Sequence, residues 1–232
     1  MSKKKYKTIL TNRGYAILKN KFNNEEIINI KEELNVKPFI NQDYGVKPKS
    51  FPVFLESPKK IYLPKHYAFK LLGEPESLKI NKGADINIKF NGQLRNPQLE
   101  PVKHFLNSCK EGSFVKYSRG GIISIGCGGG KTVIALYLLS KLSKKTLVIV
   151  HKEFLLNQWK KRIEQFLPDA KIGIIQAGKI DVEGKDIILG MLQSISMKKY
   201  DPEIFKDIGF TIIDECHHIS SEVFSRALPK IN

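Results

Sequence analysis

Cysteine, tryptophan and long apolar runs are all scarce in this 232-residue chain, and each scarcity removes a class of protein. Its three cysteines, Cys109, Cys127 and Cys216, lie far apart in no metal-type pair, so neither a disulfide scaffold nor a cysteine-built zinc module fits. A reducing, cytosolic compartment is the expectation. No segment approaches the ~20 apolar residues that a membrane span needs. Met1-Ser2-Lys3-Lys4-Lys5 leads into no apolar signal core, so the chain is expected to be neither secreted nor membrane-bound. Internal repeats are missing, as is low complexity beyond the first seven residues. Arginine is sparse too, with Arg13, Arg95, Arg119, Arg162 and Arg226 the whole complement.

What is present is a globular composition, 41% hydrophobic and 27% charged, with a net charge of +16. The charge is spread along the chain, about +9 over residues 1–92 and +7 over 93–232. A basic surface suits a polyphosphate partner such as nucleic acid. Lysine with few arginines is equally the mark of a lysine-, asparagine- and isoleucine-rich composition, and charge alone leaves both explanations open.

Two regions differ in rhythm. Over 1–92 the segments are short and read as a small α+β domain. Tyr15-Ala16-Ile17-Leu18 suits a strand, and 24–34 suits a helix capped by Asn23 or Asn24 with Ile27, Ile30 and Leu34 on one face. Short runs near 51–55 and 60–63 suggest further strands between prolines. From 93 to 232 strands and helices alternate: strands fit 121–125, 146–150, 172–175, 186–190 and 209–213, and helices fit 131–142, 153–166 and 220–228. That alternation predicts an α/β fold with a doubly wound parallel sheet, whose sites lie beyond the carboxyl ends of strands. Leu155, Trp159, Ile163 and Phe166 form one apolar stripe, which favours the core for Trp159 over the alternative of a base-stacking surface.

The densest signal is Gly121-Ile122-Ile123-Ser124-Ile125-Gly126-Cys127-Gly128-Gly129-Gly130-Lys131-Thr132. An apolar run enters four glycines within five residues, then Lys-Thr and a helical stretch. Glycines let backbone N–H groups converge on a phosphate, and the following helix adds its positive end. Gly126, Cys127, Gly128, Gly129, Gly130, Lys131 and Thr132 thus form a candidate cradle for ATP. Lys131 would reach the β- and γ-phosphates, and Thr132 would hold Mg²⁺. The usual pattern opens with glycine or alanine where Ile125 stands.

A carboxylate pair ends a second apolar run, Phe210-Thr211-Ile212-Ile213-Asp214-Glu215-Cys216-His217-His218. Asp214 would hold Mg²⁺, Glu215 would orient or deprotonate the attacking water, and His217 would sense the γ-phosphate or relay to another part of the protein. A zinc site at Cys216-His217-His218 lacks a second ligand pair at suitable spacing.

Together, Gly126–Thr132 and Asp214-Glu215-Cys216-His217 resemble motifs I and II of superfamily 2 helicases in their DExH form. The resemblance is strongest to the XPB-related group and the transcript-release helicases of large DNA viruses. Leu94-Arg95-Asn96-Pro97-Gln98 is similar to the segment ahead of motif I, which implies that Arg95 and Gln98 contact adenine. Leu147–Trp159 resembles motif Ia, and Gly190–Ile195 resembles the stretch before motif II. These imply that His151, Lys152 and Gln193 lie along a nucleic-acid track, DNA favoured over RNA. The likeness covers 93–232 as a first RecA-like P-loop domain, cut off after motif II, with 1–92 as an accessory domain.

No Ser-Ala-Thr motif III follows. The resemblance implies a second RecA-like domain, in cis or on another chain, and this segment alone is expected to bind ATP·Mg²⁺ but hydrolyse it slowly. Three functions stand side by side: an ATP-dependent helicase, a duplex translocase or remodeller that separates no strands, and a non-enzymatic nucleic-acid-binding subunit with a vestigial ATP site. Lys131 with Asp214 and Glu215 argues against the third.

Overall fold

A computed structural model describes residues 8–37, 49–109, 120–216 and 221–231. Packing divides the chain into two units, Met1–Ile80 with His217–Asn232, and Asn81–Cys216.

The first unit is built on a five-stranded sheet. Its elements are β1 (Ile9–Thr11), β2 (Gly14–Leu18), α1 (Asn24–Glu33), β3 (Asn35–Val36), β4 (Phe51–Pro52), β5 (Leu55–Glu56), β6 (Lys60–Leu63), α2 (Lys65–Leu72) and β7 (Ser77–Lys79). The sheet runs β5-β6-β2-β1-β7, while β3 and β4 pair separately. Tyr15, Ile17, Ile61 and Leu63 are fully buried where β2 meets β6. Gly14 opens β2 at φ 118°, and a Cβ there would stand 2.6 Å from the Leu63 carbonyl oxygen. At the start of α1 the cap is Asn23: its side chain accepts the Glu26 N–H at 2.7 Å, and the Glu26 carboxylate accepts the Asn23 N–H at 2.9 Å. This reciprocal pair satisfies two otherwise orphan donors. A short helix, Glu222–Ala227, lies within the expected 220–228.

The second unit holds α3 (Asn96–Cys109), α4 (Lys131–Leu142), β8 (Thr146–Val150), α5 (Glu153–Phe166), β9 (Ile172–Gln176), β10 (Lys179–Asp181), β11 (Ile187–Met191), α6 (Leu192–Met197) and β12 (Phe210–Ile213). Its sheet order is β10-β9-β11-β8-β12. The pairs β9–β11, β11–β8 and β8–β12 are parallel, and β10 closes an antiparallel hairpin on β9. Every residue of β8 is buried, as are Ile187 to Gly190 of β11, which is the uniform apolar pattern of central parallel strands. Leu156, Trp159 and Ile163 carry the inner face of α5 into the core with Val148, Val150, Ile187 and Leu189. The stripe read from the sequence is the packing face.

Three expectations change. Residues 221–231, read as the end of the 93–232 domain, group with the first unit. Residues 121–125 are not a strand of the sheet. Extended backbone needs a ladder partner, and among the described residues this segment has none. Ile123 and Ile125 instead pack on the small core of Val102, Ile134 and Leu138, and Ile122 is 82% exposed. Residues 81–92, read as the end of the N-terminal region, pack within the second unit. Ile86, Ile88 and Phe90 alternate into its core, Phe90 stacks on Phe166 at 5.4 Å, and Lys144 binds Asp85 at 2.7 Å.

Candidate functional site

The glycine run forms a loop that turns into α4, and its glycines are required for separate reasons. Gly128 and Gly130 sit at φ 76° and 81°, a region that L side chains rarely adopt. Gly129 is needed for space, because a Cβ there would come within 2.4 Å of Ile125 Cγ2 and 3.0 Å of the Gly126 carbonyl oxygen. Ile125, the departure from the usual pattern, thus lies against Gly129 where a side chain on that residue would stand. A hydrogen bond from Gly129 N–H to the Gly126 carbonyl, 3.1 Å, closes the turn.

Helix α4 begins at Lys131 with no side-chain cap, so the loop delivers bare first-turn N–H groups at the positive helix end. Lys131 Nζ donates to the Ile125 carbonyl at 3.0 Å, folded over the loop it would otherwise extend from. Thr132 follows in the first turn of the helix, half-buried.

A brace from α3 holds the loop. Gln98, only 3% exposed, donates from Nε2 to the Gly129 carbonyl at 3.1 Å and accepts the Arg95 N–H at Oε1, 2.8 Å. Arg95 Nη2 donates to the Gly128 carbonyl at 3.1 Å. Gly130 is the contact point, since a Cβ there would lie 2.3 Å from Gln98 Nε2 and 3.1 Å from Arg95 Nη2. Arg95 and Gln98 thus touch the cradle itself, a loop-shaping contact that the sequence reading did not include.

Asp214 and Glu215 follow β12. The Asp214 N–H continues the ladder to the Ile149 carbonyl at 3.0 Å, which fixes the backbone at the carboxyl end of the strand. Trp159 Nε1 donates to Asp214 Oδ2 at 2.7 Å, and the Glu215 N–H donates to Oδ1 at 3.0 Å. Glu215 is exposed and sits at φ 53°, left-handed backbone in a residue that is not glycine. Strain of this kind clusters at functional sites.

The nucleic-acid candidates gather at the same edge. His151 and Lys152 follow β8, Gln193 lies just after β11, and Val150 pairs with Met191 in register. Gln193 Nε2 donates to the His151 carbonyl at 2.9 Å, so these two are held together. Lys152 Nζ lies 5.9 Å from the ring of Phe154, which is 62% exposed at the start of α5. Phe154, an aromatic off the apolar stripe, was not among the candidates read from the sequence. Cys127 is exposed on the loop. His217 falls outside the described residues. Among the described residues no helix is long and apolar enough to cross a membrane.

A glycine loop at the start of a helix, on the unit whose parallel strands end in an acidic pair, defines a P-loop α/β domain. The chain belongs to the family described as type III restriction enzyme, res subunit, whose profile matches residues 91–232. A protein of Acanthamoeba polyphaga mimivirus, provisionally named ATP-dependent RNA helicase L396, is 36% identical over 231 residues, covering 97% of this chain and 43% of the relative. The DNA 3′-5′ translocase XPB2 of Sulfurisphaera tokodaii is 33% identical over 138 residues, or 60% of this chain and 28% of that protein. The transcript termination protein A18 of Yaba monkey tumor virus is 26% identical over 158 residues, 64% and 33% of the two chains. The solved SWI2/SNF2 ATPase core of Sulfolobus solfataricus in complex with dsDNA superposes with a TM-score of 0.46 at 20% identity, covering 62% of this chain and 31% of that one. The chain spans less than half the length of these curated relatives.

Proposed function

We propose that this chain supplies the ATP-binding part of an ATP-dependent nucleic-acid helicase, with DNA favoured as the substrate. The observation that carries the reading is the braced loop: Arg95 and Gln98 hold the carbonyls of Gly128 and Gly129 outward, which leaves the N–H groups at the head of α4 to a phosphate. Lys131 exchanges the Ile125 carbonyl for the β- and γ-phosphate oxygens. Adenine contact by Arg95 and Gln98 accompanies their hold on the loop.

The residues suit Mg²⁺. This ion takes oxygen donors, commonly one or two carboxylates plus substrate phosphates, rather than an all-protein cage. The donors offered are the Thr132 hydroxyl and the Asp214 carboxylate, and among the described residues no group of three or more His, Cys, Asp or Glu forms a cage. When bound, the cation neutralises phosphate charge. Glu215, exposed just after β12, would orient or deprotonate the attacking water. His151, Lys152 and Gln193, with Phe154 as a stacking face, form the nucleic-acid edge. A second RecA-like domain, in cis or on another chain, completes the hydrolytic site and turns hydrolysis into movement.

Lys131→Ala tests the reading. Among the described residues its ammonium is bonded only to a loop carbonyl at the surface, so unfolding should be unchanged while affinity for a fluorescent ATP analogue falls at least about ten-fold, the effect of losing one charge-assisted contact. Equal affinity in the variant and the wild type would exclude this ATP site. Retention of nucleic-acid binding with no nucleotide binding in the wild type would favour the non-enzymatic subunit.

A further inference from the structure

The apolar stripe points to Trp159 as core, with base stacking as the alternative. It is indeed 3% exposed, packed with Leu156, Ile163 and Leu189, but its indole N–H leaves the apolar cluster and ends on the carboxylate that follows β12. The distance, 2.7 Å, is that of a strong charge-assisted hydrogen bond. We propose that Trp159 is a positioning residue for the metal-holding carboxylate. Its N–H fixes the orientation of Asp214 so that the remaining lone pairs face the cation or its water. The inference rests on the nucleotide-site reading above and deepens it.

Three features carry the assignment. The first is that Asp214 is pinned at every point. Its N–H is bonded to Ile149, Oδ1 receives the Glu215 N–H, and Oδ2 receives Trp159. Two donors on two different oxygens set the plane of a carboxylate, which one donor does not. The second is the charge of those donors. A carboxylate offers about four lone-pair sites, so one donor per oxygen leaves an acceptor site on each. Both donors are neutral, so the full negative charge stays available to a divalent cation, where a lysine or arginine would compete with it. The third is rigidity. The donor sits mid-helix in α5 with its ring locked in the core, so the N–H has no freedom to follow a wandering carboxylate. A buried indole needs some acceptor, and a backbone carbonyl would have served packing equally well. The acceptor here is instead the side chain on which the metal depends. Outer partners of this kind change metal affinity by about 10–100-fold when removed.

The test uses Trp159→Phe, which keeps an aromatic in the core and deletes the donor. A second protein carries β-(3-benzothienyl)alanine at 159, with the indole N–H replaced by sulfur in the same shape, and serves if the phenylalanine variant folds poorly. Polarisation of a fluorescent ATP analogue is titrated with MgCl₂, beside the same measurement in EDTA. Positioning predicts that the magnesium needed for half-maximal binding rises about ten-fold or more, with binding in EDTA unchanged within about two-fold. A magnesium requirement equal to wild type in a folded variant overturns the proposal, as does an equal loss with and without metal, which is the signature of a disturbed core. If the wild-type chain binds the analogue at no magnesium concentration, the nucleotide-site reading fails and takes this inference with it. Wild-type binding with an unshifted variant sinks the inference alone.

Discussion

Gly130→Ala puts the brace under direct test. The backbone at Gly130 is left-handed, φ 81°, where an L residue costs roughly 1–2 kcal/mol. The new Cβ would also stand 2.3 Å from Gln98 Nε2. The tip of a flexible glutamine would normally swing away at little cost. This one is 3% exposed and tied at both ends, to the Gly129 carbonyl and the Arg95 N–H. Moving it forfeits at least the bond to Gly129, about 0.5–1.5 kcal/mol. The substitution should therefore destabilise the second unit by about 2–3 kcal/mol. In a Gln98→Ala background the clash with Nε2 disappears, leaving the dihedral cost and the 3.1 Å approach to Arg95 Nη2, so the same glycine change should cost about 1 kcal/mol less. Urea unfolding followed by tryptophan emission measures this cleanly, because Trp159 is the only tryptophan of the chain and lies in the core of this unit. An identical cost in both backgrounds, or a Gly130→Ala penalty below about 0.5 kcal/mol, would refute the reasoning that Gln98 and the loop hold each other in place.

Gly83 and Gly184 form a matched pair at φ 70° and 62°; a Cβ at Gly83 would lie 2.2 Å from Gly209 Cα, whereas Gly184 has nothing within 4 Å. Gly184→Ala should cost about 1 kcal/mol and Gly83→Ala more than about 3, again read by Trp159 emission. Asn23→Ala removes the reciprocal cap of α1 and should lower the stability of the first unit by about 1 kcal/mol, seen by calorimetry. Tyr67 donates to Glu33 at 2.6 Å, and burial with that carboxylate pushes its hydroxyl up to about 12. The folded value lies above the unfolded one, so this stabilisation is complete below about pH 10 and lost as pH rises towards 12. Tyr67→Phe should flatten that fall in denaturant midpoint relative to wild type, and an unchanged slope would dismiss it.

Where a stretch of sequence carried its own period, the fold was legible. Helices 131–142 and 153–166 and strand 146–150 stand where the pattern put them, since the apolar spacing of each one is also its packing. Helix α3 was hidden by Pro101: a proline inside a helix reads as a breaker, yet here tertiary packing of Val102 on Ile134 and Leu138 holds it. The segment 121–125 failed in the opposite direction, since a strand-like pattern specifies pairing but cannot supply the partner. The glycine loop and the acidic pair were visible because their chemistry is local. The hydrogen bond from Trp159 to Asp214 spans 55 residues, and no spacing rule encodes it. The role of Gln98 was invisible likewise, as a side chain reaching another loop's carbonyl leaves no mark on its own neighbours.

Glu215 has a bearing on how such a protein could change under selection. Its carboxylate is set on backbone that favours glycine, at φ 53°. Replacing it by glycine would relieve about 1 kcal/mol of strain while deleting the group proposed to handle the water. Heat resistance and chemistry thus pull this one position in opposite directions. A laboratory lineage selected for survival at high temperature alone should drift to glycine or asparagine at 215, and one selected for turnover should keep glutamate and gain its stability elsewhere.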